Sequence, residues 1–170
     1  MEKSYLKKRF LALLIDYIII WIYLILLLLT FSIIYILFFD EFPEFNEISA
    51  HLMAFFTTVL PVTLAFSYME SRHPYATPGK KRTGLAVGNK IPLLPSSLLR
   101  NAFKFLPWHI GHTGVIRAMY QDYSVFWFMV GNAGFVLAGV YVLMVLFRDD
   151  HRHLPDMIAG AEVGAGRVGS

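Results

Sequence analysis

The chain has 170 residues, of which 56% are apolar and 16% are charged, with a formal net charge of +3 and no cysteine. Soluble domains are about 45–50% apolar and about 25% charged, so this composition excludes an ordinary soluble domain and indicates an integral membrane protein. The missing cysteines exclude disulfides, cysteine–zinc sites and thiol nucleophiles. The basic residues lie beside apolar runs, which favours the lipid bilayer as a partner and argues against nucleic acid.

The first apolar run covers residues 10–39. Thirty helical residues reach about 45 Å, which exceeds the ~30 Å hydrocarbon core of a bilayer. The run is too long for a cleaved signal peptide, so we interpret it as a retained span. Residues 1–9 are basic, whereas residues 40–50 carry four acidic residues and no Lys or Arg. This bias predicts a multi-pass protein of the cell membrane with its N-terminus in the cytoplasm.

A thin polar stripe follows this first helix. Arg9, Asp16, Tyr23 and Thr30 recur at intervals of seven residues, which places them near one face. An ionised carboxylate within a span costs about 2.5–3.5 kcal/mol on insertion scales. We therefore expect the stripe to face protein or a wet cavity, with Arg9 as the counter-charge of Asp16.

The second apolar run covers residues 51–69 and contains Pro61. Proline removes the hydrogen bond that would reach the carbonyl of Thr57. Beyond it, Thr63, Ser67 and Glu70 fall on one helical face. They form a second predicted polar stripe.

Residues 70–96 are rich in Pro and Gly and include the basic run Lys80-Lys81-Arg82. We interpret them as a cytoplasmic loop with short extended or hairpin pieces and a turn near Gly88-Asn89. We expect the basic run to contact lipid headgroups.

The segment 97–119 is amphipathic and is interrupted by Pro107. We predict either a broken crossing or a re-entrant piece, with Arg100, Asn101 and Lys104 on its polar face. If it crosses the membrane, the tail at 148–170 lies on the cytoplasmic side, as the arginines at the start of the tail favour.

The last apolar run covers residues 124–147. Gly134 and Ala138 form a small-xxx-small pair, suited to a helix contact or to a homo-oligomer. Asn132 is predicted to point at a neighbouring helix. The chain as a whole is predicted to be one all-α membrane domain. It has three transmembrane helices, a broken or re-entrant amphipathic segment and a cytoplasmic Gly/Pro-rich loop.

Four stretches carry a resemblance to a known family. They are RFLALLIDY at 9–17, ATPGKKRTGLAV at 76–87, LLRNAFKFLPW at 98–108 and PDMIAGAEV at 155–163. In this order they resemble the RDD family of membrane proteins, which is named for one arginine and two aspartates. The resemblance assigns these three residues to Arg9, Asp16 and Asp156.

The family's central loop motif falls on five residues of this chain: Thr77, Pro78, Gly79, Lys80 and Gly84. Two positions depart from the family pattern, since Ala161 replaces the usual Thr and Ala86 replaces a common basic residue. The resemblance implies a multi-span membrane protein, and cation/proton exchange has been proposed for some members.

Two functions remain open. In the first, the chain transports small cations or protons through competition for Asp16, with Arg9, Asp156, Glu70, Thr63, Ser67 and Asn132 as the polar network. In the second, it is a non-transporting scaffold or assembly partner and the network is structural. For Asp156 the alternatives are a network with Arg9 or a helix cap after Pro155.

We expect no enzyme activity, because neither a Ser–His–Asp nor an HExxH pattern occurs. We also expect no cofactor and no metal site. The cluster of Asp and His residues at 149–156 lacks the spacing of a zinc motif, and charged residues are ordinary at a membrane junction.

Overall fold

The computed structural model describes residues 2–39, 43–88 and 94–165. The described residues form seven α-helices, one π-helical turn and a two-stranded sheet. In chain order they are α1 (Glu2–Phe38), α2 (Glu47–Ala54), the π-helical turn (Phe55–Val59), α3 (Leu60–Ser71), α4 (Pro78–Thr83), β1 (Leu85–Gly88), α5 (Leu94–Tyr120), α6 (Val125–Phe147), α7 (Leu154–Ile158) and β2 (Glu162–Ala165).

Three of the described helical segments are long and apolar enough to cross a membrane: Ser4–Phe38, Glu47–Ser71 and Val125–Phe147. Most of their surface points away from the rest of the protein. Large apolar side chains on this surface, such as Phe38, Phe135 and Phe147, are at least 75% exposed. Such a surface is stable only against lipid, so the chain is an all-α membrane protein.

The segment 97–119 is not broken at Pro107, contrary to that part of our prediction, because it belongs to the continuous helix α5. At its start, Ser97 lies beside Ser67 of α3, and near its end Arg117 pairs with Glu47 of α2. The helix therefore runs from one end of the bundle to the other.

Pro107 does not break α5, because another helix satisfies the carbonyl it leaves free. Proline at 107 removes the hydrogen bond to the carbonyl of Phe103, and the hydroxyl of Tyr141 in α6 donates to that carbonyl at 3.2 Å. The carbonyl that Pro61 leaves without a donor is also satisfied by a tyrosine hydroxyl from another helix. The Thr57 carbonyl, four residues before Pro61, accepts a hydrogen bond of 2.5 Å from the Tyr23 hydroxyl of α1.

The predicted loop and the tail join at one end of the bundle. Strands β1 and β2 pair antiparallel, with Leu85 opposite Ala165 and Gly88 opposite Glu162. The predicted local hairpin is therefore wrong, because β1 takes its partner from the tail; Asn89 of the predicted turn lies outside the described residues. The sheet packs on Ala12 of α1, so the tail lies at the end where α1 begins. We call this assembly of α4, α7 and the sheet the end cap.

Candidate functional site

The loop motif at 77–84 folds into α4, and each of its residues has a structural role. Thr77 is the N-cap and accepts from the Lys80 backbone N–H. Pro78 occupies the first turn, where its missing N–H costs nothing. Gly84 ends the helix with φ +71°, a left-handed conformation that glycine adopts without strain.

Asp16 is held by α4. Its Oδ2 accepts a hydrogen bond of 2.6 Å from the Thr77 hydroxyl, and its Oδ1 accepts one of 2.8 Å from the Gly79 backbone N–H. A Cβ on residue 79 would lie 2.1 Å from the Ala12 carbonyl oxygen, so glycine is required for this approach. Asp16 is 3% exposed, and these two donors offset the cost of burying its charge.

Arg9 is not the counter-charge of Asp16, and that prediction is wrong. Its Nη2 lies 3.3 Å from Asp156 Oδ2, and its Nη1 donates to the backbone carbonyl of His151. The two residues share a face of α1, but Arg9 lies nearly two turns nearer the helix start. There it meets the tail, whereas Asp16 meets α4.

A second buried carboxylate, Glu70, lies at the end of α3 and is 0% exposed. Its Oε1 accepts from Lys80 Nζ at 2.6 Å. Its Oε2 accepts from the guanidinium of Arg100 and from Asn101 Nδ2, the latter at 2.8 Å. Glu70 thus joins α3 to α4 and to α5.

Arg100 joins this carboxylate to a third one. It is 2% exposed, and its Nε donates to Asp156 Oδ1 at 2.7 Å while Nη1 donates to Glu70. Asp156 is 0% exposed and also contacts Arg9. One guanidinium between two carboxylates therefore fixes α3, α5 and the tail to one another. We call Arg9, Asp16, Glu70, Lys80, Arg100, Asn101 and Asp156 the polar network.

Asp156 is in the network and is not the helix cap, so the first of our two interpretations describes its contacts. The cap of α7 is His153, whose Nδ1 accepts from the Asp156 backbone N–H. Burial alone raises the pKa of Asp156, but Arg100, His153 and Arg9 outweigh it and hold that pKa well below its usual range. Burial lowers the pKa of His153, although the Asp156 carboxylate opposes this. The same Nδ1 also lies 2.9 Å from Asp156 Oδ2. It can accept from the backbone N–H only when unprotonated and can donate to the carboxylate only when protonated, so the two contacts require opposite states of this nitrogen.

The remaining predicted polar residues do not reach the network or reach it only through backbone. Thr63 donates to the carbonyl of Val59, four residues earlier at the end of the π-helical turn. Ser67 is fully buried and donates to the carbonyls of Thr63 and Ser97. Asn132 is exposed and donates to Phe128 of its own helix, so the prediction that it points at a neighbouring helix is wrong. Thr30 is likewise exposed.

The small residues of α6 serve a contact within the chain. A Cβ on Gly134 would lie 2.4 Å from the Pro107 carbonyl oxygen, so α5 covers this residue. The oligomer contact that we assigned to Gly134 is therefore wrong, since a surface buried against α5 is not free for a second copy.

A cleft of about 670 Å³ opens beside the network, between α1 on one side and α5 and α6 on the other. Its walls are mainly apolar. Polar groups gather at the end where α1 begins and include Arg9, Asp16, Lys80, Arg100 and Lys104. Lys104 places its ammonium 4.8 Å from the ring centre of Phe66 and 5.2 Å from that of Phe105.

The site contains functional residues whose roles the sequence analysis missed: Arg100, Asn101, Lys104 and His153. We noted the polar face of the amphipathic segment but did not assign its residues to the site. In a helix surrounded by lipid the polar face points inward, and Ser97, Arg100 and Asn101 are indeed buried whereas Leu99 is 42% exposed. The sequence signal was the polar face itself, which we did not interpret as the inward face of a helix surrounded by lipid.

The geometry is thus a buried ion network that closes one end of a helix bundle. Comparison with curated proteins and with solved structures finds no match to this chain. A family model described as the RDD family matches residues 4–160. That match covers nearly the whole chain and includes Arg9, Asp16 and Asp156. The chain therefore belongs to the RDD family.

Proposed function

We propose that this protein is a non-enzymatic membrane scaffold or assembly partner, and that its polar network is a structural lock. The observation that carries the proposal is that each of the three carboxylates buried within the described part of the chain already has at least two hydrogen-bonding or ion-pair partners. Asp16 has two donors, Glu70 has three, and Asp156 contacts two guanidinium groups. Glu70 and Asp156 are already paired with cations, and both oxygens of Asp16 already accept a hydrogen bond, so these carboxylates offer a further cation little free energy.

The lock explains how lipid-exposed helices hold one arrangement. Helices in lipid gain no hydrophobic free energy from association, so packing and polar contacts must supply it. Here Glu70, Arg100 and Asp156 connect α3, α5 and the tail, while Arg9 and Asp16 connect α1 to the tail and to α4. We place the end cap on the cytoplasmic side of the cell membrane, since residues 1–9 and the Lys80–Arg82 run are basic.

Transport of small cations or protons is the second candidate. One observation favours it: Asp16 lines the cleft, so its carboxylate lies next to a space that a solute can enter. Against it, the ammonium of Lys104, which no described carboxylate pairs, lines the same end of the cleft and repels cations.

Flux measurements separate the two functions. Purified protein would be reconstituted into liposomes that contain a pH-sensitive dye, and Na⁺ or K⁺ gradients would then be imposed. The scaffold proposal expects flux equal to that of protein-free liposomes. It also expects Asp16→Asn to lower the thermal stability, because the Gly79 N–H and Thr77 hydroxyl lose a charged acceptor. Flux above the empty liposomes, lost in Asp16→Asn while that variant stays folded, would overturn the proposal.

A scaffold function also requires a binding partner. We propose that its partner is a second membrane protein or a second copy of this chain. The mass of the protein, purified together with native lipid, would be measured by light scattering. A monodisperse, stable monomer that carries no companion would contradict this part of the proposal.

A further inference from the structure

We infer that the cleft between α1 and the α5–α6 pair binds one anionic phospholipid of the bilayer. Its acyl chains would lie along the apolar walls, and its phosphate would meet Lys104. This site goes beyond the scaffold role and does not depend on it. The inference stands on the charge balance of the cleft, on the surroundings of Lys104 and on the length of the cleft.

The charge balance leaves one cation over. Four cationic side chains line the polar end of the cleft, Arg9, Lys80, Arg100 and Lys104. Asp16, the carboxylate that lines it with them, is held by Thr77 and Gly79. The first three cations are all paired with Glu70 or Asp156. Lys104 is the remaining one, and within the described residues its ammonium has neither a salt bridge nor a hydrogen bond.

The surroundings of Lys104 suit an anion from outside the protein. Its ammonium lies against the faces of Phe66 and Phe105, contacts that help a cation but do not replace a charged partner. It also lines the cleft. A phosphate entering there would supply the anionic partner that Lys104 does not have among the described residues, since Lys binds phosphate as a point charge.

The length of the cleft matches one leaflet. On α1 the lining begins at Arg9 and ends at Leu24, fifteen residues that rise about 22 Å. Half of a bilayer, including its headgroup region, is also about 20–22 Å thick. The charged end lies where α1 begins and the apolar walls lead away from it, as in a lipid. The volume of about 670 Å³ falls within the range of ligand sites, about 300–1,000 Å³.

The test uses the tryptophan in the cleft wall as a reporter. Trp108 lines the cleft, so a variant that keeps only Trp108 (Trp21→Phe and Trp127→Phe) would be reconstituted into phosphatidylcholine vesicles. A minor, matched fraction of either brominated phosphatidylglycerol or brominated phosphatidylcholine would be included. Bromine on an acyl chain quenches tryptophan on contact. We expect an apparent affinity for the anionic lipid about fivefold above that for the zwitterionic one.

Variants in this background assign the preference to the cleft. Lys104→Gln should abolish it, Lys104→Arg should keep it, and Lys7→Gln, which removes an exposed cation elsewhere, should keep it as well. Ala138→Phe fills the cleft wall without changing charge and should reduce quenching by both lipids. Circular dichroism would identify folded variants, and Ala138→Phe keeps the test decisive if Lys104→Gln fails to fold.

Three results would overturn the inference. They are equal quenching by the two lipids in the starting protein, a preference that survives Lys104→Gln, and unchanged quenching in Ala138→Phe. Inorganic phosphate distinguishes the source of the anion. If millimolar phosphate leaves the preference intact, the whole lipid is the ligand; if phosphate removes it, the cleft is an anion site and our assignment to a phospholipid is wrong.

Discussion

Arg9 and Asp156 lie 3.3 Å apart, guanidinium to carboxylate, although 147 positions separate them in the chain. The contact attaches the first helix to the tail, and the Tyr5 hydroxyl, which donates to the Val163 carbonyl, lies beside it. Because Arg100 also binds Asp156, one carboxylate connects both ends of the chain to α5. The stability of the end cap should therefore depend on residues that are remote in sequence.

Replacing Glu70 by Gln should destabilise the protein strongly. The change leaves Lys80 and Arg100 buried beside a neutral amide, and breaking a buried ion pair costs about 3–5 kcal/mol. Glu47→Gln is the matched control, since Glu47 is partly exposed and pairs with Arg117, a contact worth about 0–1 kcal/mol. Thermal unfolding in detergent measures both. Equal melting temperatures for the two variants would contradict a structural role for the network.

Gly79→Ala should separate α4 from α1. The new Cβ would lie 2.1 Å from the Ala12 carbonyl oxygen, so the helices must move apart and both hydrogen bonds to Asp16 are lost. Overpacking of this kind costs about 1–3 kcal/mol. Trypsin cleavage at Lys80–Arg82 should become faster, which gel electrophoresis detects. Gly139→Ala is the control, because its Cβ meets no atom within 4 Å; cleavage as slow in Gly79→Ala as in this control would refute the prediction.

The cost of Tyr23→Phe should depend on Pro61. The Tyr23 hydroxyl satisfies the Thr57 carbonyl that Pro61 leaves without an N–H donor. In the parent protein its removal leaves that carbonyl unpaired and costs about 1–3 kcal/mol. With Pro61→Ala in the background the helix can supply its own N–H, so the same change should cost less. A double-mutant cycle measures this coupling. Tyr17→Phe, an exposed change on α1, should be neutral, and zero coupling would disprove this account.

His153 should make the stability fall on mild acidification. Its pKa in the folded protein is lowered by burial, so the unfolded chain, with a histidine pKa of about 6.5, binds the proton more readily. The stability contribution is complete above pH ~6.5, declines as the pH drops below that value, and levels off below the folded-state pKa. His153→Asn keeps a capping oxygen without titrating.

The measurement is the melting temperature of the parent protein and of His153→Asn over this pH range. The other histidines titrate in both proteins, so the difference between the two curves isolates residue 153. We expect the curves to converge at low pH because the parent protein loses more stability there. Parallel curves would exclude His153 as the titrating group.

The helices were predictable because lipid imposes a simple rule. Apolar runs of sufficient length must be helical, since no water is present to satisfy a backbone. Runs 10–39, 51–69 and 124–147 accordingly fall within or close to α1, α2 to α3, and α6. The continuous helix at 97–119 was harder to predict, because Pro107 removes a local hydrogen bond. The Tyr141 hydroxyl compensates for the lost bond, but Tyr141 lies 38 positions from Phe103, whose carbonyl it satisfies. The sequence around Pro107 therefore gives no indication of it.

The sequence predicted which residues belong to the candidate site. It did not predict which of them bind one another. Helical periodicity places Arg9 and Asp16 on one face, and Thr63, Ser67 and Glu70 on another. It says nothing about which side chain from a distant segment arrives there. Arg9 therefore pairs with Asp156, and Asp16 binds α4 through a backbone N–H that sequence spacing cannot reveal.

The sequence by itself determined that this chain is a membrane protein, which residues form its membrane helices, and which charged residues must be kept from contact with lipid. Each of these follows from local composition, since the transfer of a side chain into lipid has a cost that depends on its own chemistry. Only the tertiary structure decided the partners. Asp16 binds α4 and not Arg9, and β1 pairs with a strand of the tail. Both outcomes depend on contacts between segments far apart in the chain. Such contacts form when the helices pack, because packing brings donors and acceptors within hydrogen-bond distance.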